Sequence, residues 1–204
     1  MKWCFSRNVN LSIVFVFLCL TGCVSSPPQN LDNMCKIFEE KGGWYEEAKA
    51  SQEKWGTSIP VMMAIIHQES KFQGDIKPKF EWFFIIPLGR PSSAYGYSQA
   101  LDGTWDVYIK ESGNWGADRD DFEDAIDFIG WYNSKSYKRN KIKRNDAYHL
   151  YLAYHEGQGG FERRTFKNKT WLKKVAKKVS ARAIKYRKQY WGCKESLEDT
   201  GWFF

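Results

Sequence analysis

The stretch that most constrains this chain is Ile59-Pro60-Val61-Met62-Met63-Ala64-Ile65-Ile66-His67-Gln68-Glu69-Ser70. Its spacing predicts a helix that is apolar on most sides, so the segment must lie inside a domain rather than on its surface. Thr57 and Ser58 are expected to cap its first amides, and Pro60 suits an opening position because it lacks an N–H. The helix ends on Glu69. There the loss of water and the negative end of the helix dipole both disfavour the carboxylate, which would make Glu69 a general acid. The competing reading is that Glu69 is simply the first solvated residue after a core helix.

The rest of the chain reads as more helix around this one. Residues 31–55 are expected to be helical, broken at Gly42-Gly43. A helix begins near Leu101 or Thr104 and runs to Glu111, and Asp120 to Ser136 carries apolar residues at helical spacing. Asn145 to Glu156 places Ala147, Leu150, Tyr151 and Tyr154 on one stripe, with Gly157, Gly159 and Gly160 expected to stop it. A last helix is read from Asn168 to Tyr190, with Trp171, Leu172, Val175, Val179 and Ile184 inward and a lysine-rich outer face. Alternating strand patterns are confined to the Lys79 to Leu88 region, within a Pro- and Gly-punctuated aromatic segment that reads as a long loop or hairpin. The fold class is therefore α-rich, either all-α or α+β with a small hairpin.

Residues 1–22 are expected to be an export signal. Lys2 and Arg7 form a positive start, and Leu11 to Leu20 is apolar but too short to span a bilayer. Leu20-Thr21-Gly22-Cys23 resembles a bacterial lipobox, which implies lipidation of Cys23 and, with Val24 following, placement on the periplasmic face of the outer membrane. Residues 23–30 are read as the lipidated cysteine and a Pro-rich tether that does not pack on the domain, and residues 31–204 as the folded domain. After processing, Cys35 and Cys193 are the two thiols left in an oxidising compartment, and a disulfide between them is expected, against the alternative of two separately buried thiols. The formal charge of +7 falls to +5 once Lys2 and Arg7 are removed. A basic exported chain suits an anionic wall polymer or anionic lipid, and its location argues against nucleic acid.

Three short motifs then fall in order: Glu69-Ser70-Lys71-Phe72, Ala94-Tyr95-Gly96-Tyr97-Ser98-Gln99, and Ala153-Tyr154-His155-Glu156-Gly157. Together they resemble the soluble lytic transglycosylase family, which shares the goose-type lysozyme fold. The resemblance covers roughly Ile59 to Gly160. It implies that Glu69 is the sole catalytic acid/base with Ser70 beside it. It further implies that Gly96, Tyr97, Ser98 and Gln99 form a groove wall meeting the glycan, and that Tyr154 sets its hydroxyl near Glu69 or the sugar. Ser98 stands where Met is common and His155 where Asn is usual, which bears on the subsites. The implied reaction cleaves the β-1,4 bond between N-acetylmuramic acid and N-acetylglucosamine, and the muramoyl 6-hydroxyl closes a 1,6-anhydro ring. A muramidase on the same fold, or a non-catalytic wall-binding lipoprotein, are the alternatives. No cofactor is expected, and His67, His149 and His155 do not make a standard zinc motif. The expected partners are peptidoglycan strands and a membrane reached through Cys23, with the chain acting as a monomer. A second carboxylate facing Glu69, from Asp75, Glu81, Asp102 or Asp106, would upset the single-carboxylate reading.

Overall fold

The computed structural model of the chain describes residues 26–200. The expected signal segment, Cys23 and the last four residues lie outside that range. Within it run α1 (Met34–Glu40), α2 (Trp44–Trp55), α3 (Ile59–Glu69), a hairpin of β1 (Glu81–Phe83) and β2 (Ile86–Gly89), α4 (Asp102–Ser112), α5 (Phe122–Asn140), α6 (Ala147–Glu162) and α7 (Thr170–Thr200). A short 3-10 turn at Thr165–Asn168 joins the last two helices. The fold is the α-rich one expected, with one antiparallel hairpin.

Helix α3 is the buried centre: every residue from Ile59 to Ile66 is excluded from solvent. Helices α2, α5 and α7 pack around it. Its start is built differently from the expectation. Ser58 occupies the capping position, but Gln52 supplies the cap, its side-chain oxygen accepting from the Ile59 N–H at 3.0 Å. The hydroxyls of Thr57 and Ser58 are buried without a hydrogen-bond partner. A long side chain from α2 thus does the work that adjacent short ones were expected to do, fastening α2 to α3 as it caps.

Other boundaries differ as well: α5 runs to Asn140 rather than ending at Ser136. Gly157 does not end α6; it kinks it, with φ 73 and ψ 157, and helical backbone resumes to Glu162. Helix α7 runs ten residues beyond Tyr190. Its inward face is Leu172, Ala176, Val179, Ala183, Tyr186 and Tyr190, at i+3 and i+4 steps. Trp171 and Ile184, expected inside, are 55% and 50% exposed. Alanines at 176 and 183 let α7 sit close to α3 and α6, and the stripe rotates onto them.

Cys35 and Cys193 form the expected disulfide, across 158 residues of sequence. It joins α1 to α7, two helices already in contact. The tether departs from expectation. Pro28 is buried, the Gln29 N–H donates to Glu40 at 2.8 Å, and Lys41 reaches the Ser26 carbonyl at 2.6 Å. The chain from residue 26 therefore lies along α1 rather than hanging free.

The hairpin projects its turn outward. Phe84 and Ile85 are each 90% exposed.

Candidate active site

Glu69 is the last residue of α3, and the chain turns sharply after it. Ser70 caps the helix, and Lys71 and Phe72 both adopt left-handed backbone, φ 52 and 61. Phe72 is driven into this conformation by full burial against Trp44, ring centroids 5.8 Å apart. Glu69 is thus held between a core helix and a chain that turns straight back into the interior. Burial pushes Glu69 up from the ordinary 4.5 to about 7, opposed by a hydrogen bond from Tyr151. Among the described residues no charged group adds to this shift. Asp75, Glu81, Asp102 and Asp106 are all exposed, and Asp102 pairs with Arg119 at 2.8 Å.

The hydrogen-bond partner of Glu69 is therefore Tyr151, while Tyr154, expected near Glu69 or the sugar, lies close by. Both hang from the same stripe of α6, one turn apart. Tyr154 is close enough for the Glu69 charge to raise its own pKa, but its hydroxyl donates to the Ser98 carbonyl at 2.6 Å. Its ring packs edge-on against Tyr132, centroids 5.1 Å apart, and Tyr132 in turn donates to the Ala153 carbonyl. Tyr154 acts as a strut from α6 to the 94–100 segment. The stripe of Tyr151 and Tyr154 was visible in the sequence, but the motif pointed to the second of the pair.

The Ser93–Ala100 segment is a tight turn. Tyr95 and Ala100 bridge, and the Gly96 N–H donates to the Ile76 carbonyl at 3.1 Å. Gly96 has φ 76, and a Cβ there would lie 1.9 Å from the Arg119 carbonyl oxygen, so no other residue fits. The Gln99 side-chain amide donates to the carbonyls of Ile76 and Gly96 at 3.0 and 2.9 Å. That nitrogen is committed to the turn, which leaves its oxygen as the side chain's acceptor toward a ligand. Arg119, missed in the sequence, staples the turn: it donates to the carbonyls of Ser93 and Ala100 and pairs with Asp102.

Several residues expected at the glycan lie behind the surface. Tyr97 is 1% exposed and meets Trp44 and Phe122 edge-on, while Trp44 stacks on Phe122 at 3.8 Å. Ser98 is buried with its hydroxyl unpaired. Ser70 is 1% exposed and its hydroxyl donates to the Ile66 carbonyl. These side chains hold the wall from within. His155 is exposed, with Nδ1 3.1 Å from Glu156 and its ring edge-on to Trp171. The Glu156 side chain is buried and ties the kinked α6 to the following turn through Lys169 at 2.8 Å and the Thr165 hydroxyl.

A buried carboxyl alone does not make a site. Glu47 on α2 is also raised to about 7, by burial and by Asp121 and Glu123, yet it has no phenol donor and one oxygen without a partner. What separates Glu69 is the convergence on it of α3, the tyrosines of α6 and, through Tyr154, the Gly96–Gln99 turn. Among the described residues no group of three or more His, Cys, Asp or Glu is placed to hold a metal ion.

A search of curated proteins returned no match. The family described as "Transglycosylase SLT domain" matches residues 11–193, a span that contains Glu69, the Gly96–Gln99 turn and both tyrosines of α6. That span is most of the sequence, and the chain belongs to the transglycosylase SLT domain family.

Proposed function

We propose that this protein is a lytic transglycosylase that cuts peptidoglycan strands between N-acetylmuramic acid and N-acetylglucosamine, with Glu69 as its one acid and base. The observation that carries the reading is a carboxyl at the end of α3, hydrogen-bonded by Tyr151 and raised to about 7, with no second carboxylate among the described residues adding to that shift. Such a group holds its proton near neutrality and can deliver it to the bridging glycosidic oxygen as that bond breaks. Hydrolysis through water or a covalent intermediate calls on a second carboxylate. Without one, the substrate's own nucleophile is the economical route: the muramoyl 6-hydroxyl attacks the anomeric carbon, and the Glu69 carboxylate takes up its proton. The ring closure yields a 1,6-anhydromuramoyl end, and the reaction gains from being intramolecular. The Gln99 side-chain oxygen is the acceptor offered to a sugar hydroxyl or amide.

The same proposal places the mature chain on the periplasmic face of the outer membrane, lipidated at Cys23. The basic charge suits a polyanionic wall. Mass spectrometry of sacculi digested by the chain tests the chemistry. Anhydro products, lighter by one water than reducing ends, are expected. Reducing ends would make it a muramidase, and no release at all would make it a binding protein. Glu69→Gln is expected to abolish release while the fold persists.

A further inference from the structure

A groove of about 430 Å³ lies between the C-terminal part of α3 and the middle of α7. His67 and Gln68 line it from α3, and Lys178, Arg182 and Lys185 from α7. At 100° per residue, His67 lies about 160° round the helix from Glu69, so the groove is on the back of the helix that carries the acid.

Its charge is one-sided. The carboxylate that meets these cations is Asp32, 2.6 Å from Arg182 and 3.7 Å from Lys185, on the groove's edge and largely exposed. Asp32 shows that the edge holds a carboxylate. Lys178 pairs with no carboxylate among the described residues. His67 registers the surroundings: burial first, then Arg182, with Lys71 and Lys185 adding and Asp32 opposing, hold it down to about 4. The groove therefore combines permanent cations with a neutral imidazole and an amide, the donor set that suits a carboxylate flanked by peptide groups.

We propose that this groove binds the carboxylate-bearing stem peptide of the wall strand being cut. This rests on the peptidoglycan reading above. The way round a helix roughly 10–12 Å across is about 14–17 Å, and a lactyl link with four extended residues spans about 16–18 Å, so a peptide leaving a sugar at Glu69 is long enough to reach the groove. Its path runs over the end of α3, past the exposed Lys71.

The test is titration calorimetry of a free stem tetrapeptide, carrying its terminal carboxylates, against the whole chain. Lys178→Glu is expected to weaken binding at least tenfold. Lys177→Glu, which makes the same charge change on an exposed residue off the groove, is expected to change it less than twofold. In parallel, the ratio of kcat/KM for peptide-bearing over peptide-free strands is expected to fall at least fivefold in Lys178→Glu. Equal effects of the two substitutions, or no peptide binding by the parent chain, overturn the proposal. Binding of phosphatidylglycerol vesicles that Lys178→Glu removes, without peptide binding, also overturns it and assigns the groove to a lipid headgroup. Peptide binding with no cleavage of any strand leaves the groove standing and removes the catalytic reading instead.

Discussion

Replacing Glu69 by glutamine removes a carboxyl whose pKa stands at about 7 in the folded chain against 4.5 ordinarily. The folded state therefore holds a proton that the unfolded state has released between about pH 4.5 and pH 7. Stability must fall as pH rises through that window, and the loss is complete above it. At about 1.4 kcal/mol per pKa unit, ionising Glu69 costs the fold roughly 3 kcal/mol by pH 8. The substituted amide keeps the shape and a donor for the same surroundings but never ionises. Urea melts of parent and Glu69→Gln should nearly coincide at pH 4.5 and separate by about 3 kcal/mol at pH 8, with the variant the more stable. Glu47 carries a similar displacement, but it is present in both chains and cancels in the difference. The variant that gains this stability should be the one that loses cleavage, because the same desolvation serves proton transfer and burdens the fold. Stability curves that run parallel across the whole range would refute the placement of Glu69 in a water-poor site.

Tyr151→Phe removes the one hydrogen bond that lowers the pKa of Glu69. The falling limb of the pH–rate profile should move to higher pH, and kcat should drop about tenfold or more, the loss typical of a misplaced catalytic proton. Gly96→Ala forces a methyl against the Arg119 carbonyl in left-handed backbone. Chemical denaturation should show a loss of at least ~2 kcal/mol, and residual activity should fall with the turn it deforms. Cys35→Ser opens a loop of 158 residues, for which the chain-entropy model sets a loss of up to about 5 kcal/mol. A thermal melt of the reduced parent should match the melt of this variant.

Much of this was legible because it depends on local pattern. The apolar run Ile59–Ile66 could only be a core helix, Gly42-Gly43 marked the break between α1 and α2, and Cys35 and Cys193 were the pair left by the expected removal of the leading segment. What escaped depends on contacts between distant segments. Gln52 is a polar residue on α2 until the start of α3 is brought beside it. Arg119 lies in a loop with no motif, and its role appears only when the carbonyls of Ser93 and Ala100 face it. Tyr151 and Tyr154 share a stripe, and which of them meets Glu69 is decided by the Ser98 carbonyl, which takes the hydroxyl of Tyr154. Tyr97 and Ser98 read as surface because they belong to a polar motif. Trp44 and Phe122 draw Tyr97 inward, and the segment closes over Ser98.

The turn after α3 bears on how such a protein would fail. Glu69 has eight buried residues before it and the sunken ring of Phe72 three positions after, so the acid has no hinge of its own. Its position can be lost only by pulling apart the packing that defines the domain, in contrast to enzymes that carry their reactive group on a loop free to melt early. The geometry of the proposed acid and the integrity of the interior are here a single cooperative property.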